Sequence, residues 1–231
     1  MRTFLIWLAL MTGTLAGCDQ SPILPQSVPT QQTSNPSKPN LNPGERVIMA
    51  FGNSLTAGLG VAQQEAYPAQ LEERLHARGY PYRVVNSGVS GETTAGGLRR
   101  LDWVIKARPE IVILELGAND GLRGVPLEET RANLSHMIKR LQAARIQVIL
   151  AGMRLPPNYG PMYTTGFSNL FSELGREYKV PFIPFFLEGV AARPELNQED
   201  GLHPTPEGYQ QVVDNLLPVL LPLLRTQAHS E

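Results

Sequence analysis

A single cysteine, Cys18, stands in the 231-residue chain, so no intramolecular disulfide, CxxC redox pair or thiolate zinc cluster can form. Long hydrophobic runs are missing too. The N-terminal apolar stretch from Phe4 to Leu10 falls well short of the roughly 20 residues a membrane-spanning helix needs. The apolar segment from Leu216 to Leu224 is interrupted by Pro218 and Pro222, which suits core packing better than a span. Charge of one sign is equally scarce: the net charge is -1 and Lys and Arg are nowhere concentrated, which leaves no electrostatic footprint for a nucleic-acid partner. The glycines between Gly88 and Gly97 lack the GxGxxG spacing and the P-loop lysine, so no nucleotide site is implied. No internal repeat occurs at solenoid periods.

What is present begins with a targeting pattern. Arg2, the apolar stretch and the small residues up to Leu15-Ala16-Gly17-Cys18 have the layout of a cleaved secretory signal. The last four resemble the bacterial lipoprotein box, which implies a signal peptide over 1–17 and a lipid anchor on Cys18. Several acyl chains would hold firmly at about 0.8 kcal/mol per buried methylene. From Asp19 to Gly44 the composition turns to Ser, Gln, Asn, Thr and repeated Pro, so residues 18–44 are expected to form an extended tether. Residues 45–231 are long enough for one domain with a sizeable core. The expected location is the bacterial envelope, facing the periplasm, with membrane contact through the lipid anchor only.

Within that domain, short apolar runs rich in β-branched or aromatic residues alternate with helical patterns. Arg46–Phe51, Tyr82–Asn86, Glu110–Leu116, Ile146–Gly152 and Val180–Phe185 read as strands buried on both faces. Between them apolar residues recur at helical spacing, as in Leu134, Met137, Ile138 and Leu141. A last helix starts at Thr205 with Pro206 in a favourable first position, and Pro218 and Pro222 are expected to kink or end it. The rhythm predicts an α/β fold: one doubly wound, flavodoxin-like, five-stranded parallel sheet between two helical layers.

In such a sheet ligands bind beyond the carboxyl ends of the strands, and three loops there carry polar and glycine residues. The first holds Gly52-Asn53-Ser54-Leu55, the second Gly88-Val89-Ser90-Gly91 and the third Gly117-Ala118-Asn119-Asp120. Near the C-terminus, Asp200-Gly201-Leu202-His203 puts a carboxylate within hydrogen-bond reach of an imidazole on one short loop. Ser54, Asp200 and His203 are therefore the candidate nucleophile, orienting acid and base. The Ser54 and Gly91 N–H groups and the Asn119 side-chain amide are the candidate oxyanion donors. Each piece has a bland reading as a turn or helix cap; jointly they point to catalysis. His76 and His136 fall in helical patterns and His229 in a tail, so they are expected to be structural or solvated. Met153–Tyr163 and Leu202 are expected to border the acyl pocket, with Leu155, Pro156 and Tyr159 as candidate substrate-loop residues.

These blocks resemble the SGNH (GDSL) hydrolases, whose Ser, Gly, Asn and His blocks occur in this order, here at Ser54, Gly91, Asn119 and His203. Leu116–Gly124 and Arg154–Gly160 further resemble the branch of bacterial periplasmic thioesterase, arylesterase and lysophospholipase enzymes. The resemblance implies hydrolysis of small esters, thioesters or lysolipids by a monomer, with no metal or organic cofactor. The chain departs from the family at Asn53, where the family has aspartate; a near-isosteric acceptor remains but a charge is lost. An α/β-hydrolase nucleophile elbow is the poorer match, because Gly52–Thr56 lacks the second glycine of G-x-S-x-G. Two other readings compete: an SGNH deacetylase of envelope sugars, and a catalytically silent acyl-binding lipoprotein.

The lipoprotein reading is testable directly. Cys18→Ser is expected to release a soluble, fully active protein from cells that otherwise retain it in washed membranes. A variant that stays with the membranes contradicts the anchor, and one that loses activity contradicts the tether.

Overall fold

The computed structural model describes residues 44–225. The expected signal peptide, Cys18, all of the tether but Gly44, and His229 lie outside the described residues. Five strands run parallel, β1 Arg46–Gly52, β2 Tyr82–Gly88, β3 Ile111–Glu115, β4 Gln147–Ala151 and β5 Phe182–Ile183, in the order β2-β1-β3-β4-β5. This is the doubly wound, flavodoxin-like arrangement that the alternating patterns predict. Every residue of β3 is buried, as are all but the first of β1, because helices cover both faces of the sheet.

Among the described residues seven α-helices flank it: α1 Ser54–Ala57, α2 Tyr67–His76, α3 Thr94–Lys106, α4 Ala118–Leu122, α5 Leu127–Ala143, α6 Pro161–Tyr178 and α7 Pro206–Leu220. Helices α3, α5 and α6 pack side by side, while α2 packs against α7. Their buried stripes follow from sequence spacing; Leu134, Met137, Ile138 and Leu141 of α5 all face the core. Threonine caps fix the starts of two of them. Thr93 Oγ1 accepts the Gly96 N–H at 3.3 Å at the head of α3, and Thr205 Oγ1 accepts the Gly208 N–H at 3.2 Å at the head of α7.

Two expectations need correction. Of Val180–Phe185 only Phe182 and Ile183 pair with β4: the run lies at the sheet edge between Pro181 and Pro184, neither of which has an N–H to donate. Helix α7 does not end at Pro218 but runs on to Leu220; the expected end does come at Pro222, where the helix gives way to a 3₁₀ turn, Leu221–Leu223. Pro218 lies on the exposed side, where water can satisfy the carbonyl that proline leaves unpaired.

What matters for function is how closely the carboxyl ends of β1 and β2 approach α1. A Cβ on Gly88 would lie 2.1 Å from Ala57 N and 2.6 Å from its Cα. Backbone cannot give way as a flexible side chain can, so Gly88→Ala displaces α1 from the strand end. The expected cost is about 1–3 kcal/mol, read as a fall in Tm of several degrees. An unshifted Tm contradicts this packing.

Candidate active site

Strand β1 runs out at Gly52, and Asn53 turns the chain into α1. Asn53 caps this single turn: its Oδ1 accepts the Leu55 N–H at 2.9 Å. Ser54 therefore starts a helix at the mouth of the sheet, with 9% of its surface exposed. The site sits where strand order reverses between β2 and β3 on either side of β1, at the topological switch point of the sheet.

The 200–203 loop meets Ser54 from the other side. Asp200 Oδ1 accepts the N–H groups of Leu202 and His203 at 2.9 and 3.0 Å, and its Oδ2 lies 2.5 Å from His203 Nδ1. Burial alone would raise the Asp200 pKa, but bonds from the His203 N–H, its imidazole and the Leu202 N–H outweigh it and lower the value to about 2. A carboxylate only accepts, so Nδ1 carries the hydrogen of a neutral ring, and Nε2 faces the Ser54 hydroxyl as an acceptor at 2.8 Å. The same Asp200 that orients the ring also makes the Asx turn that a bland reading would give it.

The other candidate donors converge here. Gly91 has φ +77°, a left-handed conformation that glycine adopts without strain. Neither its N–H nor that of Ser54 has an acceptor among the described residues. Asn119 Nδ2 donates one hydrogen to Glu92 O at 2.9 Å, which fixes the amide plane and leaves the second hydrogen available. Glu92 itself is gripped by Arg100, whose Nε lies 2.8 and 2.9 Å from the two carboxylate oxygens. Arg100 also donates to Ser87 Oγ at 2.7 Å, Ser87 O at 2.8 Å and Gly52 O at 3.3 Å, and stacks over Phe51 at 4.3 Å. One guanidinium thus joins the ends of β1 and β2 to the turn that carries Gly91.

Glu115 lies beside the Ser54 turn at the end of β3 and is fully buried. Its oxygens accept the Asn53 N–H at 3.2 Å, Asn53 Nδ2 at 2.8 Å and the Thr56 hydroxyl at 2.7 Å. Burial pushes its pKa from 4.5 up to about 8, against the pull of these bonds. Gly52 makes the arrangement possible, since a Cβ there would lie 2.4 Å from Glu115 Oε2.

A cavity of about 490 Å³ opens beside Ser54 and His203. Leu55, Leu122, Met153, Leu155, Pro156 and Leu202 are among its mainly apolar lining. Tyr159, expected with the substrate loop, does not line it: its hydroxyl donates to Leu122 O at 3.0 Å, and Tyr163 likewise ties the following turn to Val125 O at 2.7 Å. Away from the site, His76 Nε2 lies 3.0 Å from Tyr82 O and His136 is exposed. Among the described residues no three His, Cys, Asp or Glu side chains are grouped to hold a metal ion. Sequence reasoning missed Glu115, Glu92 and Arg100. The signal for Glu115 was there, a lone acid inside the apolar run Ile111-Val112-Ile113-Leu114-Glu115-Leu116.

A serine, an imidazole and a carboxylate in one hydrogen-bonded row, beside free N–H donors at the switch point of a parallel sheet, form the constellation of a serine hydrolase. Residues 50–211 match the model of the GDSL-like lipase/acylhydrolase family. The esterase TesA of Pseudomonas aeruginosa is 40% identical over 180 residues, covering 78% of this chain and 90% of that protein. Thioesterase 1/protease 1/lysophospholipase L1 of Escherichia coli K12 is 36% identical over 178 residues, covering 77% and 84%. A crystal structure of TesA superimposes with a TM-score of 0.75 at 40% identity, covering 78% of this chain and all of that one. The chain belongs to the GDSL-like lipase/acylhydrolase family, and it is an enzyme of the ester-hydrolase class.

The buried Glu115 carboxyl makes stability depend on pH in a defined direction. Its folded pKa is raised, so its contribution is fully present below pH 4.5 and is lost as pH rises through about 8. Stability is expected to fall across that window by up to about 1 kcal/mol per pH unit, and Glu115→Gln should flatten the slope. Urea midpoints for both proteins from pH 4.5 to 8.5 check this; parallel pH dependences contradict it.

Proposed function

We propose that this protein hydrolyses carboxylic esters and thioesters of apolar acyl chains through an acyl-Ser54 intermediate. The observation that carries the reading is the row Ser54–His203–Asp200, with spacings of 2.8 and 2.5 Å, opening onto the apolar cavity. His203 Nε2 takes the hydroxyl proton as Oγ attacks the acyl carbon, and Asp200 stabilises the imidazolium that forms. The negative charge on the carbonyl oxygen is met by the N–H groups of Ser54 and Gly91 and the free hydrogen of the Asn119 amide. His203 then gives its proton to the leaving alcohol or thiol, and water, activated by the same ring, frees the acid and restores Ser54.

The lining favours an acyl chain over the sugar of a deacetylase substrate, whose hydroxyls need polar partners that Leu55, Leu122, Met153 and Leu155 do not offer. A volume of about 490 Å³ is also larger than an acetyl group needs and lies within the roughly 300–1,000 Å³ usual for small-molecule sites. Leu155, Pro156 and Leu202 are the proposed acyl contacts. The enzyme is further proposed to work in the bacterial envelope, held by lipid on Cys18, as the N-terminal sequence pattern supports.

Ser54→Ala and His203→Ala should each abolish hydrolysis without unfolding the domain, and the double variant should be no slower than either single one, since the two act as a unit. Asp200→Asn should be severely impaired through the wrong ring tautomer. Asn119→Ala is expected to lower kcat by about 10²–10³ with a smaller change in KM; a pure KM effect removes Asn119 from the oxyanion site. The deciding experiment is a hydrolysis screen of p-nitrophenyl esters from acetate to palmitate beside acyl-CoA and lysophospholipid. Rising kcat/KM beyond acetate is expected. Activity confined to acetate would favour the deacetylase, and a wild-type protein inert to a serine-directed fluorophosphonate would favour a silent acyl-binding protein.

A further inference from the structure

The turn that carries Ser54 is fastened to a residue of another strand, 62 positions further along the chain. Glu115 Oε2 accepts the Asn53 N–H at 3.2 Å and the Thr56 hydroxyl at 2.7 Å, while Oε1 accepts Asn53 Nδ2 at 2.8 Å. The other end of the Asn53 amide, Oδ1, accepts the Leu55 N–H at 2.9 Å. Residues before and after the serine are therefore held, directly or through one amide, by a single buried carboxyl group. The Ser54 side chain itself bonds to His203 alone among the described residues, so this anchorage fixes the backbone from which its Oγ projects.

We propose that Glu115 is a positioning residue for the nucleophile, and that Asn53 is its matched partner, an amide that donates where an aspartate would have to share a proton. This rests on the reading of Ser54 as nucleophile. Two carboxylates 2.8 Å apart in a site closed to water cannot both ionise, and such a pair titrates as one unit. An amide presents a donor to Glu115 and an acceptor to Leu55 at once, which a carboxylate cannot do without an added proton. The other groups facing Glu115 are phenols. Tyr67 of α2 reaches it through the Thr56 hydroxyl at 3.3 Å, and Tyr209 of α7 has a buried hydroxyl with no partner among the described residues. Burial and the nearby Glu115 charge raise the pKa of both phenols, which keeps them neutral. Burial raises that of Glu115 as well, so the carboxyl is the titrating member of this cluster.

The test is a double-mutant cycle on a p-nitrophenyl ester, with circular dichroism melts of every variant and fluorophosphonate labelling of the wild type. Glu115→Gln sets an NH2 donor against either Asn53 Nδ2 or the Asn53 N–H, whichever way its amide turns, and kcat is expected to fall about 10- to 100-fold with KM within about threefold. Adding Asn53→Asp reverses amide and carboxylate across the contact and should recover at least about tenfold of that loss. Asn53→Asp alone should shift the pH profile of kcat, because the pair then holds a shared proton. An unchanged kcat in Glu115→Gln, an unmoved pH profile in Asn53→Asp, or a double variant no faster than Glu115→Gln while both remain folded at the assay temperature overturns the proposal. If Glu115→Gln does not fold, Thr56→Val removes one donor at constant volume: a severalfold loss of kcat supports the proposal and an unchanged kcat overturns it. A folded wild type that does not react with the fluorophosphonate removes the nucleophile and this inference together. A labelled, active wild type with unaffected variants removes this inference alone.

Discussion

Because all five strands point the same way, every loop that leaves a carboxyl end emerges on one side of the molecule. At the reversal of strand order two such loops diverge and leave a crevice between them. Ser54 follows β1, Gly91 follows β2 and Asn119 follows β3, so three residues from distant stretches of chain arrive together without any dedicated scaffold. The arrangement also demands close contact. Glycine at 52 and 88 leaves room for Glu115 and for the backbone of Ala57 to come within reach, and that closeness holds the serine turn against its neighbours.

How much of this could be read from the sequence depended on the distance over which each contact acts. Asp200 and His203 are three residues apart, so their pairing follows from local geometry. The alternation of patterns led to the sheet, and the glycine-bearing loops to the crevice. Ser54 and His203 are separated by 149 positions, and only the fold brings them together. Glu115, Glu92 and Arg100 escaped notice because their partners lie on other elements and an isolated acid or base has no periodicity of its own. Tyr159 was assigned to the pocket by nearness in sequence, whereas its ring turns back to hold the end of α4. The last strand was overextended because six largely apolar residues look like a strand until the two prolines are weighed as missing donors.

Two carboxyl groups flank the serine and show how solvent and hydrogen bonding compete. Asp200 and Glu115 each accept several hydrogen bonds. Asp200 keeps 45% of its side chain exposed and its pKa is held to about 2, whereas Glu115 is sealed from water and rises to about 8. The same chemical group is thus a permanent anion on one side of the site and a titrating group on the other, with water access deciding between them.

The loop from Asn197 to Pro204 is closed on itself by a bridge between those two residues and by the bond from Gln198 N–H to His203 O at 2.8 Å. Asp200 meets its partners inside this loop, so imidazole and carboxylate form one small cassette. If thermal motion swings the cassette outward, the imidazole parts from Ser54 with its orientation intact. On return only the bonds that reach outside the loop, His203 to Ser54 and Gln198 Nε2 to Leu59 O, have to be remade.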